Sequence, residues 1–181
     1  MGWVILIIIV VLVFIAISMY NGLVGKRNRV KNSWSQIDVQ LKRRFDLIPN
    51  LVETVKGYAG HEKETLEAVV SARTKYLSAK TPEDMMNANG QLSQVLGRLF
   101  ALSEAYPDLK ANENFAHLQQ ELSKTEDKIS YARQFYNDVV LTYNNAVQMF
   151  PTSIVASMFN FREEPFFQTD EAERSAPKVS F

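Results

Sequence analysis

Cysteine is absent from this chain, which excludes disulfides, thiolate metal sites and cysteine nucleophiles together. Histidine is almost as scarce, with only His61 and His117. A carboxylate di-iron centre in a helical bundle needs Glu three residues before His on two helices, and Tyr58 and Asn114 stand in those places. His61-Glu62 opens like a zinc-protease motif, but Thr65 occupies the position of the second histidine. There is no glycine-rich phosphate loop, and two histidines offer no recognisable Ser-His-Asp arrangement. The expectation is therefore of no catalytic site, no cofactor, no metal and no small-molecule substrate.

Glycine (7) and proline (6) are sparse in 181 residues, linkers rich in Gly or Ser are missing, and strand-like runs bounded by turns do not occur beyond the N-terminus. Helix formers dominate, so the expected fold class is all-α, with one core. The formal net charge is zero, which argues against nucleic acid as a partner. Its placement is uneven: Lys26, Arg27, Arg29, Lys31, Lys42, Arg43 and Arg44 come early, whereas Glu163, Glu164, Asp170, Glu171 and Glu173 come late.

What is present in abundance is an uncharged start. Trp3 to Tyr20 is an 18-residue apolar run, with no charged side chain before Lys26. At about 1.5 Å per residue it extends roughly 27 Å, enough to cross a hydrocarbon core of about 30 Å as one helix. Trp3, Phe14 and Tyr20 are its anchoring aromatics, Trp3 and Tyr20 bracketing it at the two interfaces. A retained anchor is preferred to a cleaved signal peptide because no basic residue precedes the run, although Ala16-Ile17-Ser18 loosely resembles a cleavage site. The basic residues Lys26, Arg27, Arg29 and Lys31 follow immediately, which orients the N-terminus outward and the body of the chain to the cytoplasm. They have a second reading as a juxtamembrane site for anionic lipid.

From Tyr20 to Leu66 the chain becomes charge-rich but keeps an apolar face. Val30, Trp34, Ile37, Leu41, Ile48, Val52, Val55 and Ala59 step by three and four residues, missing only the turn at Arg44 and Phe45. Such a seam is meant for other helices. Pro49 lies inside it, and because the period survives on both sides a kink is expected rather than a stop. Asp38, Asp46 and Glu53 interleave with Lys42, Arg43 and Lys56 and read as solvated pairs along one helix. Gly57 and Gly60 mark the next weak point, with His61 and Glu62 beside them.

Beyond this corner the period resumes from Leu66 to Leu77. Thr81-Pro82-Glu83 is a helix start, leading a segment that ends near Tyr106-Pro107-Asp108. Asn112 can cap a fourth helix running to about Met149. Tyr-Asn-x-x-Val occurs three times, at Tyr20, Tyr136 and Tyr143. Two readings stand: Tyr and Asn filling a wet seam, or a contact layer joining the first and fourth helices through Tyr20-Asn21, Tyr136-Asn137 and Tyr143-Asn144. After Phe150-Pro151, a short amphipathic segment carrying Met158 and Phe159 either lies at the membrane surface or closes the base of the bundle. The organisation expected is residues 1–20 as a transmembrane anchor, 21–150 as an antiparallel up-down four-helix bundle with long first and fourth helices, 151–161 as the amphipathic segment, and 162–181 as an irregular tail.

Three features together resemble one family. They are the Tyr20 to Glu62 segment, the Ala72-Arg73 pair, and the late Tyr143-Asn144 with the Phe150-Pro151 exit. They are similar to the LemA family of bacterial membrane-anchored proteins. That resemblance implies a single-pass anchor in the bacterial inner membrane and a helical-bundle domain. It implies little about activity. A relative associated with magnetosome membranes points by analogy to membrane shaping or scaffolding.

Helix lengths supply a further expectation. First and fourth cytoplasmic helices of about 38 residues reach roughly 57 Å, whereas the middle two reach roughly 30 to 38 Å. The seam between the long helices is then short of partners, which invites self-association. Tyr20, Asn21, Val30, Trp34, Tyr136, Asn137, Tyr143, Asn144, Phe150, Met158 and Phe159 are the candidate seam or oligomer contacts. The expected partners are the lipid bilayer and further copies of the chain, in a non-enzymatic scaffold. The alternative is an adaptor that docks a membrane protein, such as a protease, through the corner at Gly57, Gly60, His61 and Glu62.

Overall fold

The computed structural model describes residues 1–167, and among them there is no strand. Six helices follow one another: α1 (Gly2–Ala59), α2 (Lys63–Ser78), α3 (Pro82–Ser103), α4 (Pro107–Lys110), α5 (Glu113–Gln148) and α6 (Thr152–Met158). The all-α reading holds, with a long apolar N-terminal helix. The expected irregular tail begins as non-helical chain at 162–167, and its remainder, 168–181, lies outside the described residues.

α1 is continuous through Gly22, Gly25, Pro49 and Gly57. Pro49 therefore does not divide it. A proline removes one main-chain donor, but the side chains before and after it, Ile48 and Leu51, are fully buried and hold the helix in place. The helix stops only past Ala59. There a Cβ on Gly60 would come within 3.0 Å of the Lys56 carbonyl. The chain then turns through a bond from the Glu62 N–H to the Ala59 carbonyl (3.1 Å).

Local chemistry at the other helix starts follows the sequence. The Thr81 hydroxyl accepts from the Asp84 N–H (3.1 Å) and donates to the Asp84 carboxylate (2.7 Å), with Pro82 at the first helical position. The Asn112 side chain accepts from the Phe115 N–H (3.0 Å), capping α5. The turn α4 was not anticipated; Pro107 begins it and Leu109 is buried beneath it.

Contacts divide the chain into two units, the first formed by Met1–Gln36 with Ala132–Phe166 and the second built around Ile37–Tyr131. In the second unit, Ile37, Leu41, Ile48, Val52, Val55 and Ala59 are buried as the seam requires. The turn missing from the period is occupied after all. Phe45 lies flat on Tyr76 of α2, with ring centres 3.9 Å apart and planes 6° from parallel.

Arg44, only 4% exposed, goes inward beside Phe45. One of its terminal nitrogens donates to Asn89 Oδ1 (2.6 Å) and Ser93 Oγ (3.1 Å) on α3, and the other meets Glu126 of α5 (2.7 Å). Burial holds its pKa below the usual guanidinium value, against the opposing pull of Glu126.

Two of the charges expected to pair along α1 reach other helices. Arg43 meets Glu121 of α5 (2.7 Å), and Asp38 accepts from the Tyr76 hydroxyl (3.2 Å). Burial and then the nearby Asp38 carboxylate raise the pKa of Tyr76. The physical reason is geometric: a carboxylate or guanidinium on the edge of a seam lies as near to the neighbouring helix as to its own next turn.

Candidate functional site

The first unit places an exposed apolar surface beside a polar clamp. From Trp3 to Ile17 the large apolar side chains of α1 are exposed, and this segment is long and apolar enough to cross a membrane. Exposure of that many branched side chains is costly in water, so the segment fits a single-pass membrane anchor. Trp3 and Phe14 lie on it in the open, and Tyr20, half-buried, closes it.

Tyr20 is held by the far end of the chain. Its ring lies 4.8 Å from that of Phe159 and 5.7 Å from that of Phe161, centre to centre. The guanidinium carbon of Arg27 stands 4.9 Å over the Phe161 ring. Arg27 is thus engaged within the protein, unlike the exposed Arg29 and Lys31; Lys26 is half-buried. Of the four basic residues whose second reading is a site for anionic lipid, Arg27 has an aromatic face within the chain as a partner.

α6 explains how Phe161 arrives. The helix buries Val155 and Ala156 and leaves Ile154, Met158 (74%) and Phe159 (57%) exposed, with Phe150 (80%) and Met149 exposed just before it. It ends with Asn160 in the left-handed region (φ 55°). There the Phe161 N–H reaches the Ala156 carbonyl (2.9 Å) and the Asn160 N–H the Ser157 carbonyl (3.4 Å). This paired arrangement reverses the chain and drops Phe161 into the packed interior. Asparagine tolerates that backbone conformation better than most residues.

The residues after this reversal run extended along α5. The Tyr143 hydroxyl donates to the Arg162 carbonyl (2.9 Å). The Asn144 amide both donates to the Glu164 carbonyl (2.9 Å) and accepts from the Glu164 N–H (2.9 Å). The Tyr136 hydroxyl donates to the Pro165 carbonyl (3.0 Å). Tyr136 also meets Trp34 edge to face, with ring centres 5.8 Å apart. Burial, and then the charge of Glu164, push the Tyr136 pKa up to about 12 and raise that of Tyr143.

These contacts revise the Tyr-Asn repeat. Tyr143 and Asn144 hold the main chain of residues 162–164, and Tyr136 reaches α1 through Trp34. Asn21 is exposed and Asn137 half-buried. Val30, Tyr136, Tyr143 and Asn144 are all buried within the chain itself, so the seam is covered by α6 and the extended segment rather than left bare. The sequence reading missed residues 162–166 as a partner because an extended strap with three charged residues and a proline carries no periodicity. The buried tyrosines and asparagine, rich in donors, were the available signal.

In the second unit the corner residues lie together. Gly57, Gly60 and His61 are exposed, and Glu62 accepts from the Tyr106 hydroxyl (2.9 Å). Beside them is an open cleft of about 820 Å³ lined by Val52, Lys56, Gly60, Lys63, Leu66, Glu67, Val70 and Ser71. Among the described residues no group of three or more His, Asp or Glu side chains is arranged to hold a metal ion.

Comparison with known proteins agrees with this architecture. The chain is 28% identical to Protein LemA of Metamycoplasma hominis over 162 residues, covering 89% of this chain and 74% of that protein. It is 25% identical to Magnetosome protein MamQ 2 of Paramagnetospirillum magneticum over 179 residues, 84% of this chain and 66% of the relative. The same identity and coverage apply to Magnetosome protein MamQ of Magnetospirillum gryphiswaldense. The chain thus spans just under two thirds of the MamQ proteins it matches. The pattern of the LemA family runs through residues 33–181, taking in the seam, the corner, the Tyr-Asn clamp and the segment it holds, and the chain belongs to the LemA family.

Proposed function

We propose that this protein is a non-enzymatic, membrane-anchored helical scaffold that self-associates through its first unit and organises the bilayer or partner proteins. The observation that carries this reading is the meeting of two exposed apolar surfaces. The bare run of α1 ends at Tyr20, and Tyr20 packs on Phe159 of α6, whose outer face presents Ile154 and Met158 beside Phe150. An amphipathic helix fixed at the end of a membrane span has its apolar face at the depth of the headgroups, where it is covered by acyl chains or by another copy. The charge asymmetry around the run supports an N-terminus outside a bacterial inner membrane and the body in the cytoplasm. The relatives named as magnetosome proteins are in keeping with a structural role.

The test is a cysteine scan from Ile154 to Phe161, which the cysteine-free background permits. A membrane-restricted quencher is expected to reach labels at Ile154, Met158 and Phe159 and to spare Val155 and Ala156; uniform protection sinks the interfacial seat. Mass measurement in mild detergent is expected to give more than one copy per particle, and a strict monomer ends the scaffold reading.

The cleft beside Gly60 favours a second reading. An apolar floor of Val52, Leu66 and Val70 with Lys56 and Lys63 at its rim suits an apolar segment of a membrane protein flanked by acidic residues, such as one presented by a membrane protease. Replacing Val70 by Glu, and finding the set of membrane proteins that co-purify unchanged, would remove this adaptor role.

A further inference from the structure

Four hydrogen bonds join the side chains of Tyr136, Tyr143 and Asn144 to main-chain atoms of Arg162, Glu164 and Pro165, three donated by the side chains and one by the Glu164 N–H. Asn144 engages both the N–H and the C=O of one residue, as a neighbouring strand does in a sheet. A site that reads main chain accepts any extended segment of suitable shape, and an identical segment from a second copy satisfies it with the same bonds. Exchange between copies therefore costs almost nothing in contacts.

Three further observations favour such exchange. The strap leaves α6 through Asn160, a single residue in the left-handed region, so a change at one or two residues of this reversal redirects everything beyond it. Its side-chain anchor on the near side is Phe161, on Tyr20 and Arg27, and both of those partners exist in every copy. Copies anchored by α1 in one bilayer share depth and orientation, which raises their effective concentration at the height where the strap and its clamp lie.

We propose that residues Tyr136, Tyr143 and Asn144 form a peptide-binding site whose second occupant is segment 162–166 of another copy, so that reciprocal exchange of this strap joins the chains. This rests on the self-association reading and names its contact.

The test co-expresses two differently tagged full-length chains, one carrying a photoreactive phenylalanine analogue in place of Phe166, which is exposed. Mass in mild detergent is measured first. A monomer overturns self-association and exchange together. If the particle holds several copies, exchange predicts photoproducts bearing both tags. Their yield falls about fivefold or more when Tyr143→Phe and Asn144→Leu, which together remove three of the hydrogen bonds to the strap, are placed in the copy without the photoreactive group. The same substitutions in the photoreactive copy leave the yield unchanged or raise it. Glu164→Pro in the photoreactive copy removes the N–H that Asn144 accepts and abolishes the trans product. Cross-links confined to single chains within a multi-copy particle, or trans products indifferent to the acceptor's clamp, overturn exchange and leave the scaffold reading standing. Tyr143→Phe alone, which keeps the buried ring, serves if the double variant fails to fold.

Discussion

The two units stabilise themselves by different means. In the second, ionised side chains are spent inside: Arg44 ties α1 to α3 and α5 from a buried position, and Arg43 bridges to Glu121 nearer the surface. In the first, the contacts are chiefly rings and neutral donors, with Trp34 on Tyr136, Phe159 and Phe161 on Tyr20, and three α5 side chains on one strap, and the cation Arg27 meets a ring rather than a carboxylate. The difference teaches what each is built for. Buried ion pairs fix which helix faces which, because a misaligned guanidinium has no partner. Rings and neutral hydrogen bonds to main chain fix much less about sequence, and tolerate replacement of one segment by its twin.

The comparison breaks most sharply at Arg44. Arg44→Ala is expected to lower stability by about 3 kcal/mol, since it leaves Asn89 buried without its partner and opens a cavity. Urea unfolding followed by circular dichroism in mild detergent checks this. Replacing Arg44, Asn89 and Glu126 together by Met, Leu and Met should recover most of the loss, because only the half-buried Ser93 hydroxyl is then left without its partner. Native-state trypsin cleavage after Arg162, which reports the strap, should be unchanged in both variants. Faster cleavage in Arg44→Ala would mean that the two units do not hold themselves independently.

Arg44 also marks the limit of what the sequence disclosed. Apolar residues repeating by three and four located α1, α2, α3 and α5 to within a few residues, and Thr81, Pro82 and Asn112 marked helix starts by capping chemistry that is local. The same reading treated the turn at Arg44 and Phe45 as a gap in the seam. A cation is placed inside only when partners from distant positions, here Asn89 and Glu126, converge on it, and no local pattern reveals that convergence. The strap was hidden for a related reason. Residues 162–166 have no periodicity of their own and are fixed by donors from α5, nineteen to twenty-nine positions earlier in the chain.

A smaller effect tests the neutral donors. Tyr136→Phe at neutral pH should cost about 1 kcal/mol for the bond to Pro165. Because the folded-state pKa of Tyr136 is about 12 and an unfolded tyrosine titrates near 10, the folded chain holds this proton where the unfolded chain has released it. The stabilisation is complete below pH 10 and is lost as pH rises from about 10 toward 12. Tyrosinate absorbance, wild type minus Tyr136→Phe, should show one group titrating near 12. A group titrating near 10 instead would mean the clamp stands open in solution.

The smallest effect belongs to the charges that the second unit keeps near its surface. Hydrogen bonds from Lys124 and then Arg43 hold the Glu121 carboxyl below its ordinary pKa, while its slight burial opposes them. A carboxylate with a depressed folded-state pKa favours the fold above its unfolded value and loses that contribution as pH falls through the folded one. Glu121→Gln is therefore expected to match wild type in acid and to fall slightly below it at neutral pH, the gap narrowing as salt is added, because exposed pairs are screened. Unfolding midpoints across the acid range, at low and high salt, decide the point. A gap that persists at high salt would show that the Arg43–Glu121 pair is as shielded from solvent as the buried Arg44, and the division between an inner, orienting network and an outer, screened one would fail.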